Sequence, residues 1–321
     1  MDTATGPPTT DLGPAVFGTM TFGVQTDEAE ARAMVEVCRE AGTTMFDTAN
    51  MYGEGRSEEI LGRAVAPFRD EVLIASKVGN RHDLPRTGQI APRAIREEVE
   101  LSLRRLGTDR IDLYYLHRPD RGTPVEASLA VFQELIEEGK ILAIGQSNYA
   151  AWQVMEMIHI AEREGWTTVT HGQPLYNLVT RGIEDEYVEF SERYGITNIV
   201  FSPLAAGLLT GKHQRERGPE PGTRFDLRPN YVDRYWTDRH FAAVDQLTAI
   251  AADTGMSLIE LSLRWLQAQP HVGAVALGAS KLDYLESNLR ALRGPAPDEE
   301  TCRRVDEVWD GLRSVAPRYN R

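Results

Sequence analysis

Short apolar runs alternate with helical patterns along this chain of 321 residues, and a polar residue follows nearly every run. Asp47, Lys77, His117, Ser147, Gln173 and Ser202 stand at those positions, at steps of 30, 40, 30, 26 and 29 residues. A step of that size holds one strand, one helix and their loops, the βα unit. The runs predict strands near residues 16–20, 43–46, 72–76, 111–116, 141–145, 167–171, 196–201 and 273–277. Helices are predicted over 27–40, 57–66, 92–106, 125–138, 151–164, 183–194, 241–269 in two pieces, 282–292 and 298–313. Asp27 with Glu30 reads as a capping box, and Pro92 suits the first turn of its helix.

Strands this apolar need cover on both faces, which a parallel sheet receives in an alternating α/β fold. Eight units predict a closed (β/α)8 TIM barrel with long loops on the C-terminal face and an extra C-terminal helix. A doubly wound open sheet also alternates. Its glycine fingerprint belongs at the first βα turn, where this chain reads GTMTFG. A single domain is expected over 15–321, after a flexible tail at 1–14. The stretch 205–238 is the one long insertion, and such lengths usually serve as lids or binding loops.

A net charge of −13 argues against nucleic acid or an anionic membrane as the main partner, since neither is drawn to an acidic surface. No apolar run approaches the roughly 18 residues of a membrane span. The first residues, MDTATGPPTTDLGP, have neither the basic region nor the apolar core of a secretory signal. Cys38 and Cys302 are the only cysteines, which suits a reducing compartment. The expected location is the cytoplasm; the oligomeric state, a homodimer included, is left open.

Two glycine motifs invite nucleotide readings and fail them. GEGRSE, at 53–58, follows a strand and opens a helix, but Glu58 stands where a dinucleotide fingerprint has its third glycine. GLLTGKH, at 207–213, has three residues between its glycines and a His after Lys212, where a Walker loop needs four and a Ser or Thr. Its backbone and Lys212 could still cradle a phosphate in another geometry. The histidines show no H-E-x-x-H spacing, so no metal site is expected. His82, His159, His213, His240 and His271 read as structural. The run NYVDRYW, at 230–236, reads either as a small satellite core or as a source of contacts from Tyr231 and Arg234 to an anionic ligand.

Asp47, Tyr52, Lys77 and His117 form the set that carries chemistry. All lie at or just past strand ends, on the barrel face where catalytic residues gather. A buried ammonium on Lys77, held by Asp47, would depress the Tyr52 phenol. Moving it from a pKa near 10 to about 7 needs roughly 4 kcal/mol. Tyr52 would then donate a proton to a carbonyl oxygen, while His117 hydrogen-bonds that oxygen and orients it.

These residues resemble the aldo-keto reductases. The likeness rests on Phe-Asp-Thr-Ala at 46–49 with Tyr52, Ser-Lys at 76–77, and Leu-His-Arg-Pro-Asp at 116–120. It continues through Gly-x-Ser-Asn at 145–148, Gln173, the run FSPLAAGLLTGK at 201–212, and Gly-Ala-Ser at 278–280 leading to Asn288. It covers nearly the whole chain from Val16 onward. Within the family the chain looks most similar to the aflatoxin aldehyde reductases, which also reduce succinic semialdehyde.

The resemblance implies NADPH-dependent reduction of aldehydes or ketones, the cofactor lying across the C-terminal face. Gly18, Thr19, Met20 and Asp47 would flank the nicotinamide half, Phe201 would stack on the ring, and Ser147, Asn148 and Gln173 would hold its carboxamide. Ser202, Pro203, Leu204, Ala206, Gly207, Leu208, Gly211, Lys212, Arg224, Gly278, Ser280 and Asn288 would embrace the pyrophosphate and adenosine end. Many members place an Arg where Ser280 stands; here Lys212, Arg224 and Lys281 offer charge to a 2′-phosphate. Besides His117, Tyr231, Arg234 and Arg321 match substrate-binding positions. Two alternatives share the barrel. One is a nicotinamide-binding regulatory subunit resembling the potassium channel β subunits, which typically have Asn where His117 stands; the other is a reductase of a biosynthetic ketone or sugar nucleotide.

Overall fold

The computed structural model describes residues 12, 13, 15–83, 85 and 87–313. Eight parallel strands close into a barrel in chain order: β1 (Ala15–Gly18), β2 (Met45–Asp47), β3 (Leu73–Val78), β4 (Leu113–Leu116), β5 (Ile144–Ser147), β6 (Val169–Gln173), β7 (Thr197–Val200) and β8 (Ala274–Leu277). Val16 pairs with Met45 on one side and Ala276 on the other, so no sheet edge is left open. The expected barrel is the one observed.

Side chains alternate along a strand, and each strand here divides its residues between barrel interior and helix layer. Val16, Met45, Ala75, Leu113, Tyr115, Ala143, Ile199 and Ala274 form an inner apolar cluster with Leu12. Phe17, Phe46, Ile74, Tyr114, Ile144, Val200 and Val275 belong to the outer cluster, which the helices share. Two residues beyond Met45, Ala75, Tyr115 and Ile199 come Asp47, Lys77, His117 and Phe201. Period two thus carries these groups into the same interior, one layer nearer the C-terminal mouth. The floor beneath them is filled by Tyr115. A Cβ at Gly145 would stand 2.5 Å from that ring, so the packing tolerates only glycine there.

Helices Pro92–Leu106, Ala151–Glu164 and Leu282–Leu292 keep their expected limits. Asp27 caps Glu28–Glu40 by accepting from Glu30 N at 2.9 Å. The reciprocal half of the expected capping box is used differently: Glu30 accepts from Leu282 N at 3.1 Å and ties the first helix to one near the end of the chain. The stretch 241–269 does form two helices, Asp238–Asp253 and Leu258–Gln267, the second opened by a complete Ser257–Glu260 capping box. The expected helix at 183–194 is instead a 3-10 turn, Gly182–Asp185, followed by Tyr187–Arg193.

The insertion holds two short helices, Arg224–Leu227 and Pro229–Tyr235, rather than plain loop. Phe225 and Tyr235 are buried, and the His213 ring packs on Phe225 and Trp236 at 5.0 and 5.5 Å. The insertion therefore has a core of its own. C-terminal helix Glu299–Leu312 packs against Asp238–Asp253. Arg321, and the tail at 1–11, lie outside the described residues.

Candidate active site

The ends of β2, β3 and β4 deliver Asp47, Tyr52, Lys77 and His117 at the floor of the mouth, and the end of β6 adds Gln173. Lys77 is fully buried, and its Nζ donates to Asp47 Oδ1 and to the Thr48 carbonyl at 2.7 Å. The second Asp47 oxygen accepts from Gln173 Nε2 at 2.8 Å. Both oxygens of this buried carboxylate are thus satisfied, as a buried charge requires. Burial lowers the Lys77 pKa, and the Asp47 charge opposes that shift.

Tyr52 begins the turn that leads out of β2. Its ring lies 5.2 Å from Lys77 Nζ and meets the His117 ring edge-on, at 6.1 Å and 83°. The expected acidification of the phenol is not found. Burial pushes its pKa up, Asp47 and Tyr231 push the same way, and Arg224 pulls against them. Burial, the largest of these effects, disfavours the charged phenolate, and the Asp47 carboxylate adds to it. A phenol held in this way keeps its proton at neutral pH, the form a proton donor needs.

His117 sits at the head of β4 and is buried; its pKa lies well below the ordinary 6.5, through burial first and then the charges of Lys77 and Arg118. The imidazole is therefore neutral at pH 7. Nδ1 is buried without a hydrogen-bond partner among the described residues. The tautomer protonated at Nε2 leaves an acceptor orphaned there rather than a donor, and offers an N–H from the other edge. A linkage prediction follows. The unfolded chain takes up the His117 proton before the folded one does. Stability is then fully present above pH 6.5, drains as pH falls below it, and is gone below the folded value. Urea midpoints between pH 7.5 and 5 should fall more steeply for wild type than for His117→Asn; equal slopes would contradict a neutral buried imidazole.

Around this group, Ser147 donates to the Gln173 carbonyl at 2.8 Å, and Asn148 Nδ2 donates to the His117 carbonyl at 3.0 Å. Gln173, expected at a carboxamide, thus spends its amide on Asp47. Thr19 is fully buried and donates to the Asp47 carbonyl at 3.1 Å, while Gly18 and Met20 beside it are half-buried. After β7 the chain turns through left-handed Ser202, Ala205 and Ala206, with φ of 58°, 47° and 60°. Such backbone is costly, and it concentrates at ligand sites. Phe201 is half-buried, belongs to neither apolar cluster and has no aromatic partner among the described residues. Asn288 is buried, and its amide makes no hydrogen bond among the described residues. An unstacked ring and an unpartnered amide are both free to contact a ligand.

Arg224 lies with its guanidinium 5.9 Å from the Tyr231 ring, near enough to Tyr52 for its charge to act on the phenol. Arg234 lies over the same ring at 5.5 Å. Neither guanidinium has a carboxylate partner among the described residues; Asp238 is taken by Arg215. Of the two readings of 230–236, the satellite core is present, built by Tyr235 and Trp236, with Tyr231 packed against the core and Arg234 over the Tyr235 ring at 5.9 Å. Thr48 was not foreseen as a partner of Lys77, because it contributes only a backbone carbonyl. Arg224 beside Tyr52 had no signal in a stretch without strand periodicity. No cluster of metal-ligating side chains and no helix able to cross a membrane occurs among the described residues.

A closed (β/α)8 barrel with an acid–base group in its C-terminal mouth is an enzyme scaffold. Sequence comparison then fixes which one: the Aldo/keto reductase family model matches residues 14–310, and the chain belongs to that family. It is an oxidoreductase of that family. It is 36% identical to the human aflatoxin B1 aldehyde reductase member 2, covering 96% of this chain and 89% of the relative. Human aldo-keto reductase family 7 member A3 is 35% identical, with 95% and 96% covered. A probable voltage-gated potassium channel subunit beta of Oryza sativa subsp. japonica is 35% identical, with 85% of each chain covered.

Proposed function

We propose that this protein reduces short aldehydes to alcohols with NADPH, Tyr52 giving the proton and His117 holding the carbonyl oxygen. The observation that carries this reading is the edge contact of Tyr52 and His117 directly above the Lys77–Asp47 pair. Two hydrogen-bond donors, a phenol and a neutral imidazole, converge where negative charge develops on a carbonyl oxygen during reduction. The cofactor, when bound, supplies the hydride. Phe201 would lie against its nicotinamide, and Ser147 and Asn148 beside the carboxamide. Gly18, Met20, the 202–212 turn, Gly278, Ser280 and Asn288 would line the remainder. Lys212 and Lys281, both exposed, favour the 2′-phosphate of NADPH over NADH.

Short aldehydes that carry a carboxylate, such as succinic semialdehyde, are the favoured substrates. Arg224 and Arg234, without carboxylate partners and flanking Tyr231, support this preference. A charged hydrogen bond to a carboxylate is worth about 1.5–3 kcal/mol. Arg234→Ala should therefore raise KM for succinic semialdehyde by roughly ten-fold or more and leave a neutral aldehyde of similar length nearly unchanged. Equal effects on both substrates in steady-state assays would remove the carboxylate from the reading. Arg321 would join these groups from the C-terminus.

A further inference from the structure

The stretch 53–58 runs from Tyr52 into the first turn of helix Arg56–Val65, and its last two residues, Ser57 and Glu58, are fully buried. Ser57 Oγ donates to the Thr19 carbonyl at 2.8 Å, and stands 2.8 Å from Thr19 Oγ1 and 2.9 Å from Thr48 Oγ1. Thr48 is the residue whose carbonyl receives Lys77 Nζ. Thr19 N and Oγ1 both reach the Asp47 carbonyl, at 2.9 and 3.1 Å. Glu58 holds the next strand: it accepts from Ser76 Oγ at 2.7 Å, one residue before Lys77, and from Arg105 at 3.2 Å.

The link back to Tyr52 is taut. Gly53, Glu54 and Gly55 are all left-handed, with φ of 55°, 60° and 93°. A Cβ at Gly55 would stand 2.5 Å from the guanidinium of Arg105, the group that Glu58 holds.

We infer that Ser57 is a positioning residue for the reaction: with Glu58 it fixes, from outside the barrel wall, the strand ends that carry Asp47 and Lys77, and through the 53–55 turn their spacing from Tyr52. This buried oxygen lies within hydrogen-bond reach of three polar atoms. Removing it leaves the Thr48 hydroxyl and the Thr19 carbonyl seeking other partners. Any shift of Thr48 moves the carbonyl that anchors Lys77, and small misplacements at a reacting centre are costly. The plainer alternative is that Ser57 only seals a helix against the barrel, in which case it would affect melting alone.

The inference rests on the reductase reading above, and the test separates the two. Ser57→Ala, and Thr48→Val as a near-isosteric second cut in the same network, are compared with wild type in single-turnover reduction of succinic semialdehyde at saturating NADPH. Both variants should slow hydride transfer by about ten-fold or more, with NADPH Kd and aldehyde KM held within about two-fold. A wild-type rate in either folded variant overturns the inference, whatever happens to its melting temperature. If Ser57→Ala does not fold, Thr48→Val decides alone. A wild type that turns over beside unimpaired variants defeats this inference only; a wild type that reduces no aldehyde defeats the reductase reading first.

Discussion

Tyr52→Phe is expected to slow carbonyl reduction by about two to four orders of magnitude, the usual contribution of a positioned general acid. NADPH affinity should stay within a few-fold. The substitution removes one oxygen and keeps the ring that meets His117 and lies over Lys77. Burial and Asp47 raise the phenol's pKa, so the wild-type rate should not fall through loss of the Tyr52 proton anywhere between pH 6 and 9. Stopped-flow cofactor titration with steady-state rates checks both statements. Activity within a few-fold of wild type would remove Tyr52 from the chemistry.

Lys77→Met should cost both activity and stability, for a shared reason. The ammonium offsets the Asp47 carboxylate inside the barrel. Without it, Asp47 keeps only Gln173 as a side-chain partner among the described residues, and its uncompensated charge faces both the Tyr52 proton and the oxygen on which negative charge grows. Breaking a buried pair by removing one partner typically costs about 3–5 kcal/mol. Reduction should fall by at least roughly a hundred-fold. Adding Asp47→Asn should recover much of the stability, because the orphaned charge is gone, yet little of the activity. Urea unfolding and kcat of the three proteins decide it; a double variant no more stable than Lys77→Met would contradict the account of the pair.

The barrel and the polar layer at its mouth were legible because both depend on period two. A strand that buries Met45 or Ala75 must also point Asp47 or Lys77 inward, and the polar residue after each apolar run announces the layer. What stayed hidden depends on contacts that have no period. Glu30 has the spacing of a capping box, but its side chain is claimed by Leu282 N, far along the chain. Gln173 points into the mouth as expected, and the demand of a buried carboxylate takes its amide. The direction of the Tyr52 shift could not be read from residue types. It turns on how deeply the phenol is buried and how near the Asp47 carboxylate lies, which only the folded chain settles. The insertion hid its helices because Arg224–Leu227 and Pro229–Tyr235 are too short to show an amphipathic pattern.

The most direct test of the central claim is a single-turnover experiment with the wild-type protein. Enzyme in excess over NADPH is mixed with succinic semialdehyde, and nicotinamide absorbance is followed together with the alcohol formed. The account predicts rapid oxidation of the cofactor matched one for one by 4-hydroxybutyrate. Tight NADPH binding with no hydride transfer, to this aldehyde or to a panel of neutral aldehydes and ketones, would contradict it and would point instead to a barrel that binds the nucleotide without using it.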